Sequence, residues 1–167
     1  NWQITVALYR DHASEQSKII NLWPGLYEDG IYGLAIDLGS TTVAAHLTNL
    51  VTGEVVESSG RMNPQIRFGE DLMSRVSYAM MNKNGDQEMT RAVRDAINTL
   101  AVDIAQSAEL SPHQILEIVF VCNPVMHHLL VGVDPVELGQ APFALATSDA
   151  MHLTARDLDL TDLLTTT

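Results

Sequence analysis

Cysteine is nearly absent: Cys122 is the only one in 167 residues. One thiol cannot close an intrachain disulfide, so no disulfide framework holds this chain, and the expectation is a reducing, cytoplasmic setting. Basic residues are scarce too, 9 Lys and Arg against 21 Asp and Glu, for a net charge of -12 with no run of Lys or Arg. Sequence-independent grip on nucleic acid needs phosphate neutralisation, so this balance argues against that role and against anionic membrane surfaces. No apolar run reaches the roughly 18 residues of a spanning helix. No basic-then-apolar leader opens the chain, and no internal repeat or low-complexity segment occurs.

What is present is apolar content, 46% of the chain, enough to bury a core. The length suits one domain or slightly more. The sequence starts at Asn1 already in strand-like alternation, with Trp2, Ile4, Val6 and Leu8 against Gln3 and Thr5, and stops on LTDLLTTT. The expectation is a piece of a longer protein. A partner strand is predicted at KIINLW, and Pro24 to Gly30, with turn residues and two acids, is the best boundary. The expected divisions are 1–29, the end of a preceding small domain; 30–147, the principal domain; and 148–167, a connector.

From Ile31 the text predicts three strands, IYGLAIDLG, TTVAAHLTNL and EVVESSG, joined by short turns as a meander. A loop, RMNPQIRFG, leads to two helices. In EDLMSRVSYAMM the apolar stripe is read as Leu72, Met73, Val76, Ala79 and Met80. In the longer helix it is Met89, Val93, Ala96, Ile97, Leu100, Ile104 and Ala108. ILEIVFV reads as a parallel-type strand. NPVMHHLLVGV reads as a short helix with Asn123 as N-cap and Pro124 at its first position. DPVELGQAPF is loop-like, and TARDLDLTDLL is a helix or a tail. This order predicts an α/β fold.

The stretch IDLGSTT carries the chemistry. Alternation puts Leu34, Ile36 and Leu38 on one face and Asp37 on the other. A lone carboxylate on a strand is costly unless it is paired or reaches a cation. At a strand end it can hold a hydrated Mg²⁺, which commonly takes one carboxylate plus phosphates. Gly39 lets a backbone approach an anion closely. Successive N–H groups with the hydroxyls of Ser40, Thr41 and Thr42 can cradle that anion. A plain hairpin turn whose Asp caps backbone N–H groups fits the same residues.

Other clusters carry two readings as well. Cys122, Met126, His127 and His128 include metal-ligating types, but His127 and His128 would point about 100° apart on a helix, and no second Cys or carboxylate pair completes a site. Glu70 and Asp71 suit a helix start, with Arg75 as an intrahelical partner of Asp71. The loop with Asn63, Gln65 and Arg67 is a candidate for ligand or partner contact. Met73, Met80 and Met81 are read as core filling, and Arg91, Arg94, Asp95 and Asp103 as a solvated face.

AIDLGSTTVAAHLTNLVTGEV resembles the first phosphate motif of the actin, sugar-kinase and Hsp70 superfamily. NPQIRFGEDLMSRVSYAM and NPVMHHLLVGVDPVELGQAPF are similar to the reductive activators of corrinoid proteins, a family with an N-terminal 2Fe-2S ferredoxin domain. The resemblance spans about Pro24 to Phe143. It implies a ribonuclease H-like fold forming the first lobe of an actin-like ATPase domain. It implies Mg-ATP as cofactor, with Asp37 the catalytic carboxylate holding Mg²⁺ through water. Gly39, Ser40, Thr41 and Thr42 would contact phosphate, and Asn123 would face the nucleotide cleft. It further implies electron delivery from the cluster to a corrinoid protein, and leaves room for a homodimer. The ferredoxin cysteines and the second phosphate motif are absent from this text, and Cys122 stands where relatives often carry glycine. The rival expectations are a small-molecule kinase of the same superfamily and a non-catalytic docking module.

Overall fold

Alternating apolar side chains build the principal sheet. The computed structural model describes residues 3–10, 16–147 and 149–160. Trp2 and the terminal DLLTTT segment therefore lie outside the described residues. Strands β1 (Ile4–Arg10) and β2 (Ser17–Pro24) pair antiparallel as a separate two-stranded sheet. Beyond them come β3 (Tyr32–Leu38), β4 (Thr42–Asn49), β5 (Val55–Met62) and β6 (Ile115–Cys122). Their order in space is β5-β4-β3-β6, with the meander antiparallel and β6 parallel to β3.

One face of this sheet is closed. Leu34, Ile36 and Leu38 of β3 and Val43, Ala45 and Leu47 of β4 are buried. The opposite side carries Ala35, Asp37 and His46, all exposed. Helix α2 (Gly85–Ser107) lies against β4 and β5 and also meets α1 (Leu72–Met81) and α3 (Pro124–Val131). Its buried stripe includes Met89, Val93, Ile97, Leu100 and Ile104, the residues its 3.6-residue period predicts. Burying each large apolar side chain contributes about 1.5–3 kcal/mol. Asp86 and Glu88 in its first turn face the positive end of the helix dipole.

Shorter elements fill the joints. The NPQIRF loop winds into a 3-10 turn, Pro64–Phe68, and another spans Val136–Gly139 in the stretch read as loop. Residues 155–159 form turns rather than a helix. Within the segment read as a connector, Leu158 and Leu160 are buried in the core. They are tied there by Asn98, whose amide donates to the Asp159 carbonyl at 3.2 Å. Arg94 departs from its expected solvated face. Its guanidinium bonds the Leu130 carbonyl at 2.9 Å and pairs with the Asp159 carboxylate at 2.7 Å.

Helix α1 holds the clearest correction. Its buried residues are Arg75 and Val76, while Met73, Met80 and Met81 are 50%, 54% and 78% exposed, so core filling by these methionines is excluded. Asp71 caps the helix by accepting the Ser74 N–H at 2.7 Å, a contact that lowers its pKa. It forms no ion pair with Arg75, whose side chain turns inward instead.

Candidate functional site

Strands β3 and β6 run parallel, so their C-terminal ends meet at one edge of the sheet, with Leu38 beside Cys122. The turn Gly39–Thr41 leaves β3 there, and Asn123 follows β6. The structure thus brings together Asp37, Gly39, Ser40, Thr41, Thr42 and Asn123. Asp37 is exposed, opposite Ala44 on one side and Val121 on the other. No hydrogen bond or ion pair holds its carboxylate among the described residues.

The turn needs glycine for a steric reason. Gly39 donates its N–H to the Thr42 carbonyl at 3.0 Å. A Cβ at position 39 would stand 2.6 Å from that same oxygen, closer than any side chain tolerates. The hydroxyls of Ser40, Thr41 and Thr42 have no protein partner among the described residues, nor do the N–H groups of Ser40 and Thr41.

The carbonyls of this turn all point to the protein. Asn63 Nδ2 donates to the Gly39 carbonyl at 2.9 Å. The Asn63 N–H donates to the Thr41 carbonyl at 2.8 Å. Arg75 Nη2 donates to the Ser40 carbonyl in a short contact. Asn63, Gln65 and Arg75 are each 0% exposed. Their remaining groups bond one another and their surroundings. The Gln65 N–H donates to Asn63 Oδ1 at 2.9 Å, and Gln65 Nε2 to the Met89 carbonyl at 2.9 Å. Arg75 Nε donates to the Gly69 carbonyl at 2.9 Å, and Nη1 reaches Gln65 Oε1 and Met126 Sδ, both at 3.4 Å.

Asn63 and Gln65, expected as ligand or partner contacts, therefore have no exposed surface in this structure; they brace the turn from behind. Arg67 does not join them. It lies 4.6 Å over the Phe68 ring and lines an open groove of about 350 Å³ with Arg61, Asp95 and Thr99. The sequence reading missed Arg75. The signal was present: positions 72, 75, 76 and 79 form an i, i+3, i+4, i+7 stripe with a charge inside it.

Asn123 caps α3 as predicted, accepting the Met126 N–H at 3.0 Å. Its Nδ2 has no partner among the described residues. Burial pushes the Cys122 thiol pKa up, and the Asp37 charge adds to the rise. His128 is buried between the Pro124 carbonyl at 2.8 Å and the Ala146 N–H at 3.2 Å. The second contact makes Nε2 an acceptor and fixes the proton on Nδ1. Burial and the neighbouring His128 lower the His127 pKa. Among the described residues no cluster of three His, Cys, Asp or Glu side chains could hold a metal.

A mixed sheet of this order, covered by helices on one face and ending in Asp37 and its turn, is ribonuclease H-like: an α/β domain built as the first lobe of the actin-like fold. The model of one family, the RACo middle region, matches residues 32–164. The chain belongs to that family. It is 30% identical over 133 residues to the corrinoid activation enzyme RamQ of Eubacterium limosum, covering 80% of this chain and 22% of that protein. A solved structure, a reductive activator for corrinoid, iron-sulfur protein, superposes with a TM-score of 0.86 at 29% identity, covering 93% of this chain and 24% of the other. The chain thus spans about a quarter of the length of these relatives.

Proposed function

We propose that the protein carrying this chain uses ATP to drive electrons uphill onto the cobalt of a corrinoid protein, and that this chain supplies the first phosphate-binding turn. The observation that carries the reading is a pair of strand ends where, among the described residues, a carboxylate and two successive backbone N–H groups have no partner. The names of the relatives support the corrinoid partner.

The residues fit a Mg-phosphate group. Asp37 would hold hydrated Mg²⁺ through water, and the N–H groups of Ser40 and Thr41 would receive phosphate oxygens, with hydroxyls at hand. Gly39 admits the close approach, since no Cβ intervenes. When bound, Mg²⁺ neutralises charge on the transferring phosphoryl group. Asn123, with one amide arm fixed by the α3 cap, offers its free Nδ2 from the neighbouring strand end. A 2Fe-2S cluster takes four cysteines, and this chain has one, so the proposed cluster belongs to another part of the protein. Closure of a second lobe over this edge would convert nucleotide state into partner affinity. The proposed setting is cytoplasmic, which the lone thiol Cys122 supports. Among the described residues no helix is long and apolar enough to cross a membrane.

The test uses the intact protein, reduced, with a corrinoid protein and Mg-ATP. The cobalt spectrum and released phosphate are followed together, beside Asp37→Ala. Cobalt reduction that requires ATP and disappears in the variant is the expected result. Phosphate release without cobalt reduction would point to another acceptor. A phosphorylated small molecule would favour the kinase alternative, and a variant as active as wild type would remove Asp37 from the site.

A further inference from the structure

Among the described residues Arg75 is the largest fully buried side chain, and no carboxylate forms an ion pair with it. Burying a guanidinium without a direct ion pair is expensive: desolvation lowers its pKa, and the Asp71 charge opposes that only in part. Neutral acceptors alone surround it: the carbonyls of Gly69 and Ser40, the Gln65 amide oxygen and the Met126 sulfur. Such a residue needs a reason that packing does not supply.

The reason lies in the geometry of the peptide bond. Carbonyl and N–H of one trans peptide point in opposite directions. Arg75 draws the Ser40 carbonyl inward, so the N–H on the same peptide, that of Thr41, turns outward. Asn63 Nδ2 draws the Gly39 carbonyl inward, so the Ser40 N–H turns outward likewise. Two successive N–H groups are thereby aimed away from the protein, with a buried guanidinium behind them that no carboxylate contacts directly among the described residues.

We infer that Arg75, seated through Asn63 and Gln65, is a positioning residue for the phosphate turn: it fixes the Ser40–Thr41 peptide with its N–H outward and places behind it a buried cation that attracts the bound phosphate. The inference rests on the phosphate reading above. It explains why the turn's polar bracing is buried and cationic, where a bare hairpin needs neither.

The intact protein decides it. Wild type, Arg75→Lys and Arg75→Gln are titrated calorimetrically with Mg-ATP, after circular dichroism and a melting midpoint establish folding. Losing one charge-assisted bond to the turn is expected to weaken Mg-ATP binding about tenfold in Arg75→Lys, and further in Arg75→Gln, where the charge goes too. Folded variants that bind as tightly as wild type would overturn the role of Arg75 and leave the phosphate turn standing. Folded wild type that binds no Mg-ATP would overturn the phosphate reading and this inference together. Should neither variant fold, ¹⁵N spectra of wild type supply the answer. On saturation the amide signals of Ser40 and Thr41 and the slowly exchanging Nη signals of Arg75 are expected to move, and those of the Thr52–Gly53 turn to stay. Arg75 signals that stay still while nucleotide binds would overturn the inference.

Discussion

Cys122 and Asp37 sit on neighbouring parallel strands, one register step apart. The thiol is half-buried, and that burial, with the nearby carboxylate second, holds its pKa above the ordinary thiol value. At neutral pH it is therefore protonated and slow to alkylate, because the thiolate is the nucleophile. Asp37→Asn removes one of the two causes. The midpoint of the alkylation-rate profile is expected to move to lower pH in that variant and to remain above the ordinary thiol value, since burial persists. A midpoint that does not move would show that the carboxylate is screened from the sulfur. A divalent cation on Asp37 acts in the same direction, so Mg²⁺ should speed alkylation in wild type and leave Asp37→Asn unchanged.

The helices divide by how their sequences state their faces. Ile97 of α2 is fully buried, and Ile97→Ala is expected to cost about 2–5 kcal/mol in urea unfolding. Met80 of α1 is 54% exposed, and Met80→Gln should stay within about 0.5 kcal/mol of wild type. Equal losses would mean that α1 buries a different face. The period of α2 was legible because apolar residues occupy almost every inward position. The meander was legible for the same reason at a period of two, with Asp37 correctly set opposite Leu34, Ile36 and Leu38. Helix α1 was not. Charge ordinarily marks a solvent face, so Arg75 read as an outward partner of Asp71, and three methionines read as core. What reverses this is tertiary: Gly39, Ser40 and Gly69 present carbonyls inward that only a donor can satisfy. The buried Leu158 and Leu160 were hidden likewise, because acidic and polar neighbours broke their period.

At the scale of the molecule, the candidate site lies at the C-terminal ends of β3 and β6, and β6 is also an outer strand of the sheet. Strand β6 pairs with β3 on one side and with no other strand among the described residues. Val119 and Val121 stand on its open face at 52% and 68% exposure. A strand edge of this kind offers its unpaired N–H and C=O groups to any extended segment, including another copy. The net charge of -12 opposes such pairing, and that repulsion is screened beyond a Debye length of about 10 Å at 0.1 M salt. The consequence is colloidal. This chain by itself should remain dispersed in dilute buffer and cluster as sodium chloride is added, the reverse of an assembly held by ion pairs. Light scattering across a salt series measures it, and Val121→Glu, which adds a negative charge on the open face of this outer strand, should carry dispersal to higher salt.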